Sequence, residues 1–207
     1  YGLVGSEMCI RDSSGAAAGV SGAGAASSSA RIWHDRRTMA HLFDTSAIHP
    51  AALELGRIFA ERGYELSLVG GPVRDLFLGA EALDLDFTTD ATPDQILQTA
   101  GEWADAHWEI GREYGTIGLR KGEAMIEVTT YRAEAYDADS RKPTVAFGRR
   151  LEDDLFRRDF TINSMALRLP GLELVDPYGG IRDLHAGILR TPGAPEAVSY
   201  THLRAHE

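Results

Sequence analysis

Residues 83–89, LDLDFTT, alternate apolar and polar side chains, and this alternation constrains the fold more than any other stretch of the chain. Successive side chains of a strand point to opposite faces. A strand here sends Leu83, Leu85 and Phe87 into a core and turns Asp84 and Asp86 together to the other face, roughly 6–7 Å apart along the chain. Two like charges side by side, with no local cation, require a neutralising partner from elsewhere.

The chain has 207 residues, 43% of them apolar, which suits one or two domains with a real core. No apolar run approaches the roughly 20 residues that span a bilayer, so no membrane role is expected. Cys9 is the single cysteine, which excludes an internal disulfide and suits a reducing, cytoplasmic compartment. The formal charge of −10 argues against a generic nucleic-acid coat, because phosphate binding needs local Lys and Arg. One stretch supplies them, with Arg141, Lys142, Arg149, Arg150, Arg157 and Arg158.

The ends differ from the middle. Residues 12–30 are a Gly/Ala/Ser segment with no hydrophobic period and are expected to be disordered or linker-like. The flanks GLVGSEMCIRDS and VSYTHLRAHE read as non-native sequence. The expected organisation is therefore a disordered or non-native segment over 1–46, a catalytic domain over 47–196 and a non-native tail over 197–207.

Within the body, apolar spacing predicts a helix over Pro50–Arg62, and ELSLVGG predicts a buried strand. GPVRDLFLG, with Pro just inside the start and Gly just past the end, frames one or two helical turns. Thr92, Pro93 and Gln95 have N-cap, first-turn and capping-box spacing for the next helix. Short strands are expected near 106–110, 115–120 and 123–130. Residues 132–148 carry Gly, Pro and charge without a period and read as a mobile loop. RRLEDDLFRRDFTINSMALRL resumes a helical pattern in two segments, and LELVDPYGGIRDLHAGILRT reads as strand, turn, short helix and strand. Helices interleaved with a small mixed sheet make the fold class α/β (α+β).

Three features carry chemistry. LVGGPVRD leads a strand through Gly70 and Gly71 into a helix start, where free amides favour an anion, and Arg74 adds a fork of donors. It matches neither the P-loop nor the dinucleotide pattern, and taken alone it also fits an ordinary strand-to-helix turn. Beside it, Asp84 and Asp86, a pattern that alone also occurs in solvated strands and turns, have the oxygen donors that a magnesium-assisted phosphoryl or nucleotidyl transfer site needs, with Glu127, between Ile126 and Val128, as the candidate third carboxylate. Glu127 alone equally fits an exposed charge on a sheet face. In LFRRDFTINSMAL, Asp159 and Asn163 share a helical face at i and i+4 to bond a ribose, and Arg158 beside them meets a triphosphate; a capped helix with solvated arginines is the plainer alternative. The seven histidines show no paired ligand spacing, and there is no Cys/His zinc set.

In order, LVGGPVRD, LDLDFTTD, EVTTYR, RRDFTINSMA and DPYGGIRDL resemble the head domain of class II nucleotidyltransferases, the CCA-adding tRNA nucleotidyltransferases and bacterial poly(A) polymerases, over roughly residues 50–195. The resemblance implies a nucleotidyltransferase head, truncated before the helical neck. It implies Mg²⁺ on Asp84 and Asp86, triphosphate contacts from Gly70, Gly71, Arg74 and Arg158, ribose contacts at Asp159 and Asn163, and a catalytic carboxylate near Glu127. The implied reaction is template-independent transfer of CMP and AMP from CTP and ATP to the 3′ end of tRNA with release of pyrophosphate. Poly(A) synthesis is the near alternative, and a non-catalytic nucleotide- or metal-binding head is the alternative from another class.

Overall fold

The structure, a computed structural model, describes residues 31–33, 43–80, 84–133, 146–148 and 150–193. Along the chain run β1 (Arg31–Trp33), α1 (Pro50–Glu61), β2 (Leu66–Val69), α2 (Gly71–Leu78), β3 (Asp84–Thr89), α3 (Pro93–Ala100) and β4 (Ala106–Trp108). They are followed by β5 (Thr116–Lys121), β6 (Ala124–Thr130), β7 (Arg132–Ala133), β8 (Ala146–Phe147), α4 (Leu151–Phe156), β9 (Ala166–Leu169), β10 (Glu173–Asp176) and α5 (Gly180–Ala186). Eight strands form one mixed sheet in the order β1-β10-β9-β2-β3-β6-β5-β4. Within it β3 and β6 run parallel, and the other pairings are antiparallel.

Local chemistry explains why these segments form these elements. Thr92 accepts from the Gln95 amide, and the Gln95 side chain accepts from the Thr92 amide, so the expected capping box starts α3. Pro72 sits in the first turn of α2, and Gly79, left-handed at φ 67°, ends it. Helix α1 lies very close to β9. A Cβ on Gly56 would stand 2.5 Å from Leu169 Cβ, so only glycine permits this approach. Leu55 and Phe59 of α1, Leu66 and Leu68 of β2, Phe87 of β3 and Ile126 and Val128 of β6 are buried in a common core. That core fixes β3 in the middle of the sheet, and with it the direction in which the aspartates point. Among the described residues no helix is long and apolar enough to cross a membrane.

Several sequence expectations are corrected here. The second helical segment expected around MALRL is a strand, β9, hydrogen-bonded between β2 and β10. Helix α4 stops at Phe156, so Asp159 lies in a turn and Asn163 in a 3-10 turn, Thr161–Asn163, rather than on one α-helix. ILRT forms no strand; instead Arg190 O accepts from the Thr161 amide at 2.7 Å. Within 1–46, Arg31–Trp33 pair with β10 and Phe43 is buried. The mobile-loop expectation for 132–148 falls mainly on residues outside those described, as do the expectations for 12–30 and for the tail. The base of that loop is a short antiparallel ladder in which Arg132 pairs with Phe147 and Ala133 with Ala146.

Candidate active site

β3 displays its alternation as expected: Leu85 and Phe87 are buried, while Asp84 and Asp86 are exposed on the opposite face. The parallel register sets Glu127 of β6, also exposed, directly beside Asp86; adjacent strands lie about 4.8 Å apart. Among the described residues neither the Asp84 nor the Asp86 carboxylate makes a hydrogen bond or salt bridge, although both backbones belong to the β3–β6 ladder. Although Asp86 reaches solvent, its closely packed surroundings desolvate it and raise its carboxyl above the ordinary value. Arg158 opposes the shift through space and Asp84 adds to it. Two unpartnered carboxylates, one with its charge disfavoured, form an oxygen-only donor set that fits a hard divalent cation. No group of three or more His, Cys, Asp or Glu side chains is gathered to hold a metal among the described residues. The carboxylates that this face offers are the aspartate pair, with Glu127 standing beside it.

The turn from β2 into α2 supplies the second component. Gly70 is buried with φ 72° and ψ −139°, a conformation restricted to glycine, and a Cβ there would lie 3.0 Å from Arg158 Nη1. The missing side chain is what lets the Arg158 guanidinium lie against the turn. Arg74, on the first turn of α2, donates from Nε to Asp75 Oδ1 at 3.0 Å and from Nη1 to Asn163 Oδ1 at 3.0 Å. Asn163 Nδ2 in turn donates to Asp159 Oδ1 at 3.0 Å. Asp159 and Asn163 therefore meet, by a turn instead of a helix face, and Asn163 is tied in addition to Arg74. The same Asp159 Oδ1 also accepts from the Phe160 amide, at 2.8 Å.

Sequence reasoning missed the residue that holds these arginines. Asp154 of α4 is fully buried, and its Oδ1 accepts from Arg157 Nη2 at 2.7 Å, Arg157 Nε at 3.1 Å and the Arg132 amide at 3.2 Å. Its Oδ2 accepts from Arg158 Nη2 at 3.3 Å. Burial alone would raise this carboxyl, but Arg157, Arg158 and the donated hydrogen bonds hold it below the usual carboxylate range. The i,i+3 and i,i+4 spacing of Asp154 to Arg157 and Arg158 was visible in the sequence as the signal for this clamp. The rest of the basic stretch separates from it: Arg150 is exposed and pairs with Glu152, while Arg141, Lys142 and Arg149 lie outside the described residues.

DPYGGIRDL has a structural part in the site. Asp176 accepts from the Gly180 and Ile181 amides at the start of α5. Asp183, buried on α5, accepts from Thr161 Oγ1 at 2.8 Å. This fastens the turn that carries Asn163. Below the aspartates the surface opens into a cleft of about 140 Å³ lined by Asp86, Glu127, Thr129, Arg132, Arg157 and Arg158, among others. Carboxylates, a close-approach turn and convergent guanidinium groups are the equipment for handling phosphates beside a cation.

Comparison with known proteins bears on the same region. The model of a family described as "Poly A polymerase head domain" matches residues 66–190. The CCA-adding enzyme of Bacillus subtilis (strain 168) is 40% identical over 146 residues, which are 70% of this chain and 36% of that protein. That of Streptococcus pneumoniae (strain R6) is 42% identical over 134 residues, 64% of this chain and 32% of the relative. The crystal structure of the Bacillus stearothermophilus CCA-adding enzyme in complex with CTP aligns with a TM-score of 0.64 and 32% identity, covering 76% of this chain and 38% of that one. The Thermotoga maritima CCA-adding enzyme complexed with tRNA aligns with a TM-score of 0.59 and 27% identity, covering 78% of this chain and 36% of that one. The chain spans about a third of the length of these relatives. The matched region takes in β2, the Gly70 turn, the aspartate pair, Glu127, the Asp154 clamp and Asn163, so the chain belongs to the poly A polymerase head domain family and carries a nucleotidyltransferase head related to that of CCA-adding enzymes.

Proposed function

We propose that this head, assigned to residues 47–196 together with the edge strand Arg31–Trp33, catalyses transfer of CMP and AMP from CTP and ATP to the 3′ end of tRNA. The observation that carries the reading is the unpartnered pair Asp84 and Asp86 on the open face of β3, flanked by Glu127 on one side and by the Gly70 turn with Arg158 on the other. The relatives named above are CCA-adding enzymes, one solved with CTP and one with tRNA, which favours CCA addition over poly(A) synthesis. With a tRNA substrate and bacterial relatives, the activity is read as cytoplasmic.

Asp84 and Asp86 would hold Mg²⁺, whose chemistry when bound is to neutralise phosphate oxygens and to acidify an attacking hydroxyl. The side chains supply the remainder. The α2 amides after Gly70 and Gly71, with Arg74 and Arg158, bind the triphosphate and offset its charge. Asp159 Oδ1 is committed to Asn163 and Phe160, which leaves Oδ2 to accept from a ribose hydroxyl, already oriented before the nucleotide arrives. Glu127 lies beside Asp86, and it can accept the proton of the attacking 3′-hydroxyl or orient that hydroxyl. In-line attack at the α-phosphate then expels pyrophosphate toward the arginines.

The test is a graft. Residues 47–193 replace the matching region of the Bacillus subtilis CCA-adding enzyme, and extension of tRNA lacking its terminal CCA is followed with CTP and ATP. The reading expects Mg²⁺-dependent CCA addition that falls by at least about three orders of magnitude with Asp84→Ala or Asp86→Ala, since cation stabilisation of the transition state is worth several kcal/mol. Activity within about tenfold of the unsubstituted graft would sink the assignment.

A further inference from the structure

The open face of the sheet continues past the carboxylates. Paired residues of adjacent strands share a face, and the register sets Asp86 of β3, Glu127 of β6, Gly118 of β5 and Trp108 of β4 in one row across it. Ile117 and Leu119, on either side of Gly118 in β5, turn the other way into the core. A Cβ on Gly118 would stand 1.9 Å from Trp108 Cε2 and 2.0 Å from its Nε1, so the indole occupies the space that a side chain beside Glu127 would fill. Any residue but glycine would push the ring off the sheet.

Packing accounts for only part of this ring. Gly118 is buried beneath it, whereas Trp108 itself, on the edge strand, is half-buried. Among the described residues its side chain has no hydrogen-bond, aromatic or cation partner. Trp103, by contrast, has Lys121 Nζ 5.3 Å from its ring centroid. Arg120, two residues along β5 and exposed, is on the face of Gly118 and makes no salt bridge among the described residues. An indole with an open side and a guanidinium near it is the combination that holds single-stranded nucleic acid, base on ring and phosphate on cation.

Strand order decides which base. β2, which leads into the Gly70 turn and Arg158, lies on one side of β3, and β6, β5 and β4 lie on the other. Trp108 is not among the residues that line the arginine cleft. The triphosphate cradle and the indole thus flank the aspartates from opposite sides. In-line transfer places the leaving group and the attacking oxygen on opposite sides of the reacting phosphorus. Gly118 is one strand spacing, about 4.8 Å, from Glu127. An RNA end whose 3′-hydroxyl is at Glu127 brings its own base, or the one before it, over the indole.

We propose that Trp108 is the stacking platform for a base at the 3′ end of the single-stranded RNA being extended. This deepens the nucleotidyl-transfer reading above and rests on it. The gap at Gly118 seats the indole, and the indole holds the base by its face without reading its edge, so the strand is oriented whatever its last nucleotide. Arg120 attracts the phosphates of the same strand.

The experiment compares the 207-residue chain with its Trp108→Leu and Trp108→Phe variants, after thermal melting has shown that each is folded. The probe is a short single-stranded RNA with a fluorescent label at its 5′ end and 2-aminopurine as its 3′-terminal base. Anisotropy across a salt series reads RNA binding, quenching of the 2-aminopurine reads stacking, and calorimetry reads binding of CTP with Mg²⁺. Trp108→Leu is expected to weaken RNA binding about tenfold, at least about five times more than it weakens CTP, and to remove the quenching. The salt slope should stay the same, because no phosphate contact is lost. Should Trp108→Leu unfold, Trp108→Phe decides, because it keeps a ring of smaller area: a loss of RNA affinity of about threefold supports the platform, and no loss overturns it. An equal or greater loss of CTP, a salt slope lowered by about 0.7, the share of one single-strand phosphate contact, quenching that survives Trp108→Leu, or no RNA binding by the unsubstituted chain would each overturn the proposal. RNA binding that depends on Trp108 in a chain that does not bind CTP would instead support the platform and contradict the nucleotide reading.

Discussion

Asp154→Ala removes the carboxylate by which α4 holds the turn that follows it, through Arg157 and Arg158, and β7, through the Arg132 amide. The Asp154 side chain is 1% exposed, and its loss strands two guanidinium groups and one amide. Breaking a buried pair from one side costs about 3–5 kcal/mol. Arg157 and Arg158 keep 27% and 20% of their side-chain surface exposed and can turn partly to water, so the lower end, about 3 kcal/mol, is expected. For a folded body of this size that lowers the melting midpoint by about 6–12 °C. Urea denaturation of the chain and of Asp154→Ala and Asp154→Asn measures it directly. The pH dependence has a definite sign. The folded-state carboxyl lies below its ordinary value, so its stabilisation is fully present above the unfolded-state value and is lost as pH falls through the lowered one. The gap between Asp154 and Asp154→Asn is therefore constant from neutral pH down to about pH 5 and closes below about pH 4. A loss under about 1 kcal/mol at pH 7, or a gap that closes above pH 5, would refute the clamp.

Gly70→Ala forces a side chain into a backbone conformation at φ 72° and ψ −139° and against Arg158. It should cost about 1–3 kcal/mol and weaken CTP binding, which calorimetry reads. Asp86→Asn should raise the melting midpoint at neutral pH while abolishing transfer, because the lost charge is one that burial and Asp84 disfavour in the folded state. A lowered midpoint would contradict that. Thr92→Ala removes the cap of α3 and should cost about 1 kcal/mol in urea denaturation without affecting nucleotide binding.

What was legible in the sequence was whatever rests on short-range periodicity. The alternation of Asp84–Phe87 survives folding because a half-buried strand needs only one covered face. The capping box at Thr92 and Gln95 is local chemistry that tertiary packing does not change. MALRL was misread because Met165, Ala166, Leu167 and Leu169 make a short, nearly continuous apolar run, and such a run is too short to tell a helix from a buried strand. Its state is set by β2 and β10, which approach from distant parts of the chain. The expected strand at ILRT failed for a related reason: its backbone is engaged by the distant Thr161 amide rather than by a strand. Asp154 was overlooked because an acidic residue in LEDDLFRR reads as solvated surface until α4 packs over β3 and β7. Asp159 and Asn163 were correctly paired for the wrong local reason, since the contact is made by a turn and reinforced by Arg74 from α2.

The central claim, that Asp84 and Asp86 hold the catalytic cation, is tested most directly by titrating Mn²⁺ as a paramagnetic stand-in for Mg²⁺ into the chain with CTP present and following bound metal by electron paramagnetic resonance. The account predicts a bound signal that excess Mg²⁺ displaces and that Asp84→Asn and Asp86→Asn each weaken by at least tenfold, while Glu127→Gln weakens it less. Metal binding unchanged by either aspartate substitution would contradict it.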